Sequence, residues 1–322
     1  MIRKTIKLLL LITLIYSVPA LAKNTITDYH PTFIPCYKAN GNALRIAIRM
    51  YYLDNIPYYL VVDPMTFATE TAPVTDFKPR KADDNTPTPT SFTLQELSAT
   101  PYIKALTQYT SPPYNPENYG LTQANHPVNG MFLTVDMDPS IKPYEANFFD
   151  TLVAMSRQSQ QPLPVAIGIT GTWIIGHPQE FNWLLKQQMR NHLQITWVNH
   201  SFSHVYYSDL PMANNFLVMP QTNTTAEILD TEKLLIQRSQ LPSVFFRFPG
   251  LVANENLILK LRKYGLIPVS SNAWLARNET AKVGSVILVQ GNGNEPEGIQ
   301  KLLPLLANTD NHWLPLNQAL SQ

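Results

Sequence analysis

The second half of the chain alternates between short apolar runs and longer segments in which apolar residues recur at helical spacing. The apolar runs, typical of buried strands, lie at 131–135, 163–169, 194–198, 243–246, 267–269 and 286–289. The segments with helical spacing lie at 148–157, 179–190, 225–239, 255–264 and 296–306. Strands that alternate with amphipathic helices indicate an α/β fold with a parallel sheet or a (β/α) barrel.

The first half of the chain shows a different pattern. Two β-like runs, 43–52 and 56–62, flank Asp54-Asn55, a pair typical of a tight turn, and predict a small β-rich N-terminal module over 23–71. Proline, threonine and aspartate then dominate 72–90 and predict a linker over 72–125. One short helix is expected there, over 93–107, with an interruption at Pro101. The barrel is assigned to 126–322.

The first 22 residues resemble a targeting segment. Arg3, Lys4 and Lys7 precede an apolar run over 8–16, and Ala20-Leu21-Ala22 has the small-x-small pattern that signal peptidase recognises. An uncleaved anchor is the alternative, but the apolar run is shorter than the roughly 20 residues that span a bilayer. We therefore predict a signal peptide over 1–22, export to the periplasm or the medium, and no stable membrane anchor after cleavage.

Composition limits the possible functions. The 322 residues are 44% hydrophobic and carry a net charge of +1, which suits a globular protein and gives no field to attract nucleic acid. The single cysteine, Cys36, excludes an internal disulfide and a cysteine-rich structural metal site.

Polar side chains stand where several of the predicted strands end. Asp136 and Asp138 follow one strand, His200 another, Arg247 a third and Gln290 a fourth. In parallel α/β folds the carboxyl ends of the strands form the site, so we expect these side chains to meet.

His200 and His204 are four residues apart and can face the same way on one turn of helix or on a tight loop. Two histidines and one carboxylate around a divalent ion, with a position left for water, form a hydrolytic metal centre. A histidine pair at this spacing is by itself more often two ordinary surface or core residues. The order of the other polar residues along the chain is what favours a metal site.

Two segments together resemble a known family over about 130–306. They are Leu133-Thr134-Val135-Asp136-Met137-Asp138-Pro139 and, after Asn199, His200-Ser201-Phe202-Ser203-His204. Both are similar to motifs of the polysaccharide deacetylases that carry a NodB homology domain, also called carbohydrate esterase family four.

The resemblance implies a distorted (β/α) barrel of the NodB type. It also implies that Asp136 is the catalytic base and that Asp138, His200 and His204 hold a divalent metal ion, with zinc preferred. Met137 stands where the metal-binding aspartate of the family is common, and Asp138 matches members with an Asp-x-Asp spacing.

Two further motifs of the family have counterparts here. Phe246-Arg247-Phe248-Pro249-Gly250 resembles the motif whose arginine positions the catalytic aspartate, and a strand-end turn is its ordinary alternative. Trp274 resembles the tryptophan of the site wall, although a core tryptophan would look the same and Asn272 replaces a common aspartate. The resemblance implies substrate contacts for Pro249 and Trp274.

The fifth motif departs from the family. Its catalytic histidine is matched by Gln290, which has no titratable proton and so cannot act as a general acid. Glu295 is a nearby candidate for that role, with a solvated loop carboxylate as the alternative. The resemblance implies a deacetylase of an N-acetylated polysaccharide, similar to peptidoglycan or chitin. The other hypothesis is a catalytically impaired protein of the same fold that acts in glycan binding or regulation.

Overall fold

The computed structural model describes residues 25–41, 43–79 and 94–320. The predicted signal peptide, 1–22, and the proline- and threonine-rich part of the predicted linker, 80–93, lie outside the described residues. Within the described ranges, the chain has no helix of the length and apolar character needed to cross a bilayer.

An antiparallel sheet forms the N-terminal part of the fold. Its strands are β1 (Ile26–Lys38), β2 (Leu44–Leu53), β3 (Ile56–Val62), β4 (Thr69–Pro73) and β5 (Phe77–Pro79), in the order β4-β3-β2-β1-β5. The predicted turn is confirmed, because Asp54 and Asn55 join β2 to β3 with φ angles of 50° and 68°. Positive φ at both central residues is typical of the hairpin turn whose twist matches that of the flanking strands.

The sheet continues past residue 71, and β5 pairs with the end of β1 through residues 77–79. A three-residue strand is too short for a periodic signal, so the sequence placed it in the linker. The predicted helix is confirmed as two short helices, α1 (Leu94–Ala99) and α2 (Pro101–Tyr109). The break falls at Pro101, which has no amide hydrogen to donate and therefore suits the first position of a helix.

A parallel sheet carries the rest of the fold. Its strands are β6 (Phe132–Met137), β7 (Leu163–Ile169), β8 (Leu193–Asn199), β9 (Phe245–Phe246), β10 (Ile267–Pro268), β11 (Ala273–Trp274) and β12 (Val286–Gln290). The order β10-β9-β8-β7-β6-β12-β11 places β10 and β11 at opposite edges of this seven-stranded sheet. Only residues 269–272 connect these two edges, and so short a segment requires that the sheet curl until its edges are close. The predicted α/β class, with a distorted barrel and a β-rich N-terminal part, is confirmed.

Six helices follow the parallel strands in the described part of the chain. They are α3 (Ala146–Ser159), α4 (Gly171–Gly176), α5 (Pro178–Met189), α6 (Thr224–Gln237), α7 (Glu255–Lys263) and α8 (Pro296–Ala307). Leu133 and Val135 of β6 pack with apolar side chains of α3 in one buried cluster, whereas Phe132 belongs to another. Because side chains alternate along a strand, Asp136 faces the same side as Phe132.

The N-terminal sheet packs against the barrel through a shared apolar core and one buried ion pair. Ile46 and Ile48 of β2 lie in the same cluster as Val198 and Phe245 of the barrel strands. Beside them Arg49, also on β2, bonds Glu232 of α6 through both guanidinium edges, Nε to Oε2 at 2.7 Å and Nη2 to Oε1 at 2.8 Å. Both side chains are inaccessible to solvent, at 0% and 1% exposure.

Candidate metal and active site

Three side chains from two strand ends converge on one point. Asp138 follows β6, while His200 and His204 lie on the loop after β8. Their ligand atoms all lie within 4.8 Å of one another. Asp138 Oδ1 is 3.0 Å from His200 Nε2 and 3.7 Å from His204 Nε2. The structure therefore brings together the three predicted metal ligands.

The hydrogen bonds around these residues fit a bound cation. His200 Nδ1 lies 2.9 Å from the carbonyl oxygen of Arg247, so in the neutral imidazole Nδ1 donates and Nε2 presents a lone pair toward Asp138. Among the described residues, Asp138 Oδ1 is buried and has no hydrogen-bond partner of acceptable geometry. Lone pairs of two imidazoles and a carboxylate facing one another leave a place for a positive ion. Nitrogen and oxygen donors in this number suit Zn²⁺ with an open position.

The charge states of the ligands also suit metal binding. Burial raises the pKa of Asp138, but the charges of His204 and His200 outweigh burial and bring this pKa to about 2. Burial lowers the pKa of His204. Burial also lowers the pKa of His200, but the Asp136 and Asp138 carboxylates outweigh burial and raise it, so that a cation competes with a proton there.

The histidines lie on a tight loop and not on a helix, which is one of the two arrangements that the sequence allowed. Ser201 and His204 have positive φ angles of 69° and 49°, a conformation that non-glycine residues adopt only when their surroundings hold them. Glu227 of α6 provides much of that support. Its Oε2 accepts from the backbone amides of Phe202 at 3.0 Å and Ser203 at 2.9 Å. Glu227 was not predicted from the sequence, because no local pattern distinguishes it from other carboxylates in the first turn of a helix.

Asp136 lies beside this cluster and is held by Arg247. Arg247 Nη1 donates to Asp136 Oδ1 at 2.9 Å, and its Nη2 donates to the carbonyl of Ser270 at 3.1 Å. Burial raises the pKa of Asp136, and the charges of Arg247 and His200 offset only part of that effect. A fixed carboxylate whose pKa is raised is suited to general-base work.

The Asp136 carboxylate occupies space that is available because Gly168 of β7 has no side chain. The two residues are register partners on neighbouring strands, and a methyl group on Gly168 would clash with Asp136 Oδ1. We expect Gly168→Ala to displace the carboxylate and to slow turnover on the order of 10²-fold, the cost typical of a misplacement of about 1 Å. Turnover measured at steady state, with zinc content measured in parallel, tests this prediction. Gly176→Ala is the matched control, because a methyl group there meets no atom within 4 Å. An unchanged rate in Gly168→Ala would contradict the prediction.

Gln290 and Trp274 also lie at the carboxyl ends of their strands. Gln290 ends β12 and pairs in register with Asp136, and its buried Oε1 has no hydrogen-bond partner within the described ranges. Trp274 ends β11, and its indole Nε1 donates to Glu295 Oε2 at 2.7 Å. Pro249 is buried at the start of a short 3-10 helix, Pro249–Leu251, whereas its neighbours Gly250 and Leu251 line the cavity.

A cavity of about 700 Å³ opens above these residues. Its walls include Trp274, Phe216, Tyr206 and Met212, and the Tyr206 side chain is half exposed at 52%. Trp173 lies outside this cavity and is buried in the barrel core. The cavity combines apolar walls with a few convergent polar groups, the usual character of a small-molecule site.

The protein thus has a curled parallel sheet of the α/β class. An aspartate–histidine–histidine cluster and an arginine-bound aspartate lie at the carboxyl ends of its strands. The family model described as RP012 protein N-terminal domain matches residues 27–103. The solved structures to which the chain is similar include family 4 carbohydrate esterases and a chitin deacetylase.

Three of these structures illustrate the likeness. A family 4 carbohydrate esterase from Bacillus anthracis is 18% identical, with 68% of this chain and 90% of that chain covered and a TM-score of 0.44. The chitin deacetylase from Colletotrichum lindemuthianum is 14% identical, with coverages of 65% and 94% and a TM-score of 0.44. A CE4 family pseudoenzyme from Bacillus anthracis is 11% identical, with coverages of 65% and 70% and a TM-score of 0.42.

Proposed function

We propose that this protein is an exported, metal-dependent hydrolase that removes acetyl groups from the nitrogen atoms of an N-acetylated polysaccharide. The observation that carries the proposal is the convergence of Asp138, His200 and His204 beside the Arg247-bound carboxylate of Asp136. A divalent cation and a fixed base at one open cavity are two of the components that hydrolysis of an unactivated amide needs. The resemblance of four sequence motifs to polysaccharide deacetylases supports the same reaction.

Asp138, His200 and His204 would hold the cation. A divalent ion supplies an acidified water, with a pKa lowered from about 15.7 toward about 7, and Lewis-acid polarisation of the acetyl carbonyl. Asp136 accepts the proton of the attacking water. Arg247 keeps the Asp136 carboxylate oriented through the bond to Oδ1 and leaves Oδ2 to face the cavity side, 3.6 Å from His200 Nε2.

The cavity walls support a sugar substrate. Tyr206, half exposed on the same cavity as the base, offers an aromatic side chain against which a pyranose ring can stack, whereas Trp274 is buried in the wall with Arg277 on its ring. The unpartnered Gln290 Oε1 is an acceptor available to the acetamido N–H of a bound sugar. A polymeric substrate agrees with the openness of the cavity and with the predicted export of the chain.

The second candidate function retains glycan binding but lacks turnover. Gln290 favours it, because an amide cannot replace the acid histidine that the family uses at this position.

Acetate release separates the two functions. Protein stripped with a chelator and then given Zn²⁺ is expected to release acetate from N-acetylglucosamine oligomers, whereas the stripped protein is not. His204→Ala is expected to weaken zinc affinity by more than the roughly 10- to 100-fold typical of losing a group that merely supports a ligand. His312→Ala, an exposed histidine away from the cavity, is the control. Acetate release at the level of a protein-free blank, with and without zinc, would overturn the hydrolase and favour the binding protein.

A further inference from the structure

Amide hydrolysis needs a second proton transfer that the residues described so far leave unassigned. When the C–N bond breaks, the nitrogen must take up a proton, because an unprotonated amide anion is too basic to leave. Asp136 accepts the proton of water, and Gln290 has none to give. Another side chain of the cavity must therefore supply this proton.

Few side chains that line the cavity are carboxyl groups or imidazoles, the groups that can pass a proton to a leaving amine. Among the described lining residues they are Asp136, Asp138, His200, His204 and Glu295. Three of these are the candidate metal ligands, and Asp136 is the candidate base. Glu295 is the remaining residue of this set, and it has no assigned role.

The surroundings of Glu295 fix its carboxyl group in the cavity wall. Trp274 Nε1 donates to Oε2 at 2.7 Å, which leaves Oε1 to carry a proton. The Arg277 guanidinium in turn stacks on the indole ring of Trp274, with Cζ 3.5 Å from the ring centroid. Glu295 directly precedes α8, so its backbone is set by the start of that helix. These contacts make Glu295 a positioned group and not a freely moving loop carboxylate.

The surroundings of Glu295 raise the pKa of its carboxyl group above the usual value. Partial burial raises its pKa, and the Asp138 and Asp136 carboxylates add to the increase. The Trp274 hydrogen bond and the charge of Arg277 oppose it but do not cancel it. A carboxyl group that keeps its proton to higher pH is a better acid for a leaving amine.

We propose that Glu295 is the catalytic acid that protonates the leaving nitrogen, an inference that rests on the proposed deacetylase function. As the tetrahedral carbon reforms its carbonyl, the C–N bond breaks, its electron pair stays on nitrogen, and nitrogen takes the proton from Glu295. The products are the free amine and acetic acid, which ionises to acetate in water. Glu295 remains as a carboxylate, and Asp136 holds the proton taken from water. Exchange with solvent restores both groups.

A comparison of two leaving groups tests this role. Glu295→Gln retains a carbonyl oxygen that accepts from Trp274 Nε1 but has no acidic proton. We expect the variant to lose about 10²- to 10⁴-fold of its rate on N-acetylglucosamine oligomers. Its rate on 4-nitrophenyl acetate is expected to change by less than about threefold, because nitrophenolate leaves without a proton. Glu297→Gln, which alters an exposed carboxylate in the first turn of α8, is the matched control and is expected to change neither rate.

The outcomes separate this role from the function on which it rests. Equal losses on both substrates would show a structural contribution and overturn the acid role. No loss on either substrate would overturn it as well, and a faster Gln290→His variant would then show that the protein lacks an acid. A wild-type protein that releases no acetate from the glycan would overturn the deacetylase function itself, and the role of Glu295 with it.

Discussion

Replacement of Asp136 by asparagine is expected to lower the rate of acetate release by about 10²- to 10⁴-fold, the contribution typical of a general base. Asparagine keeps the shape of the side chain and an oxygen for Arg247 Nη1, but it cannot accept the proton of water. Because Asp136 is not among the three candidate ligands, the variant is expected to bind zinc as the wild type does. Rates on N-acetylglucosamine oligomers and zinc content by elemental analysis check the two parts separately.

The control for this substitution is Asp150→Asn, the same chemical change at an exposed position on α3 that does not line the cavity. Its rate is expected to equal that of the wild type. If Asp136→Asn bound zinc and kept more than about a tenth of the wild-type rate, a loss far below the range typical of a base, Asp136 could not be the base.

Replacement of Arg49 by methionine is expected to lower the free energy of unfolding by about 3–5 kcal/mol, the cost typical of leaving one charge of a buried pair without its partner. Glu232 would stay buried, at 1% exposure, and would lose the Arg49 charge and the two hydrogen bonds that Arg49 donates to its carboxylate. Denaturant titration followed by circular dichroism measures the loss. Lys38→Met is the control, because its pair with Glu70 is partly exposed, at 40% and 32%, and exposed pairs contribute about 0–1 kcal/mol.

The double substitution Arg49→Met/Glu232→Leu distinguishes charge burial from lost packing. Since apolar residues of similar volume often replace a buried ion pair without loss, we expect the double variant to be more stable than Arg49→Met alone. A double variant less stable than either single variant would show that the pair itself, and not the isolated charge, determines stability.

The barrel elements were largely predictable because each has its own periodic signal. The run 163–169 coincides with β7, and the helical spacing at 296–306 coincides with α8 to within one residue. The two-residue strand β11 and the short helix α4 were missed, since neither is long enough to show a period.

The candidate site was predictable where its residues stand at strand ends. Asp136, His200, Arg247 and Gln290 were expected at one edge of the sheet, and the structure places them there. Glu227 was not predictable, because its contact with the histidine loop joins segments with no shared pattern. The bond between Trp274 and Glu295 likewise depends on how a loop turns after β12, which side-chain spacing does not reveal.

The shared core of the two sheets makes the N-terminal part a covering layer for the barrel. A fragment limited to 126–322 would uncover Phe245, whose ring stacks on that of Phe67 with centroids 6.4 Å apart, and would leave Glu232 without the Arg49 cation. Exposing a large apolar side chain to water costs about 1.5–3 kcal/mol of folding free energy. The uncovered strands would also offer apolar surface to other molecules. The barrel thus depends on residues that contribute nothing to its chemistry, and insolubility of the isolated fragment would be an effect of folding, not a sign that the cavity was misassigned.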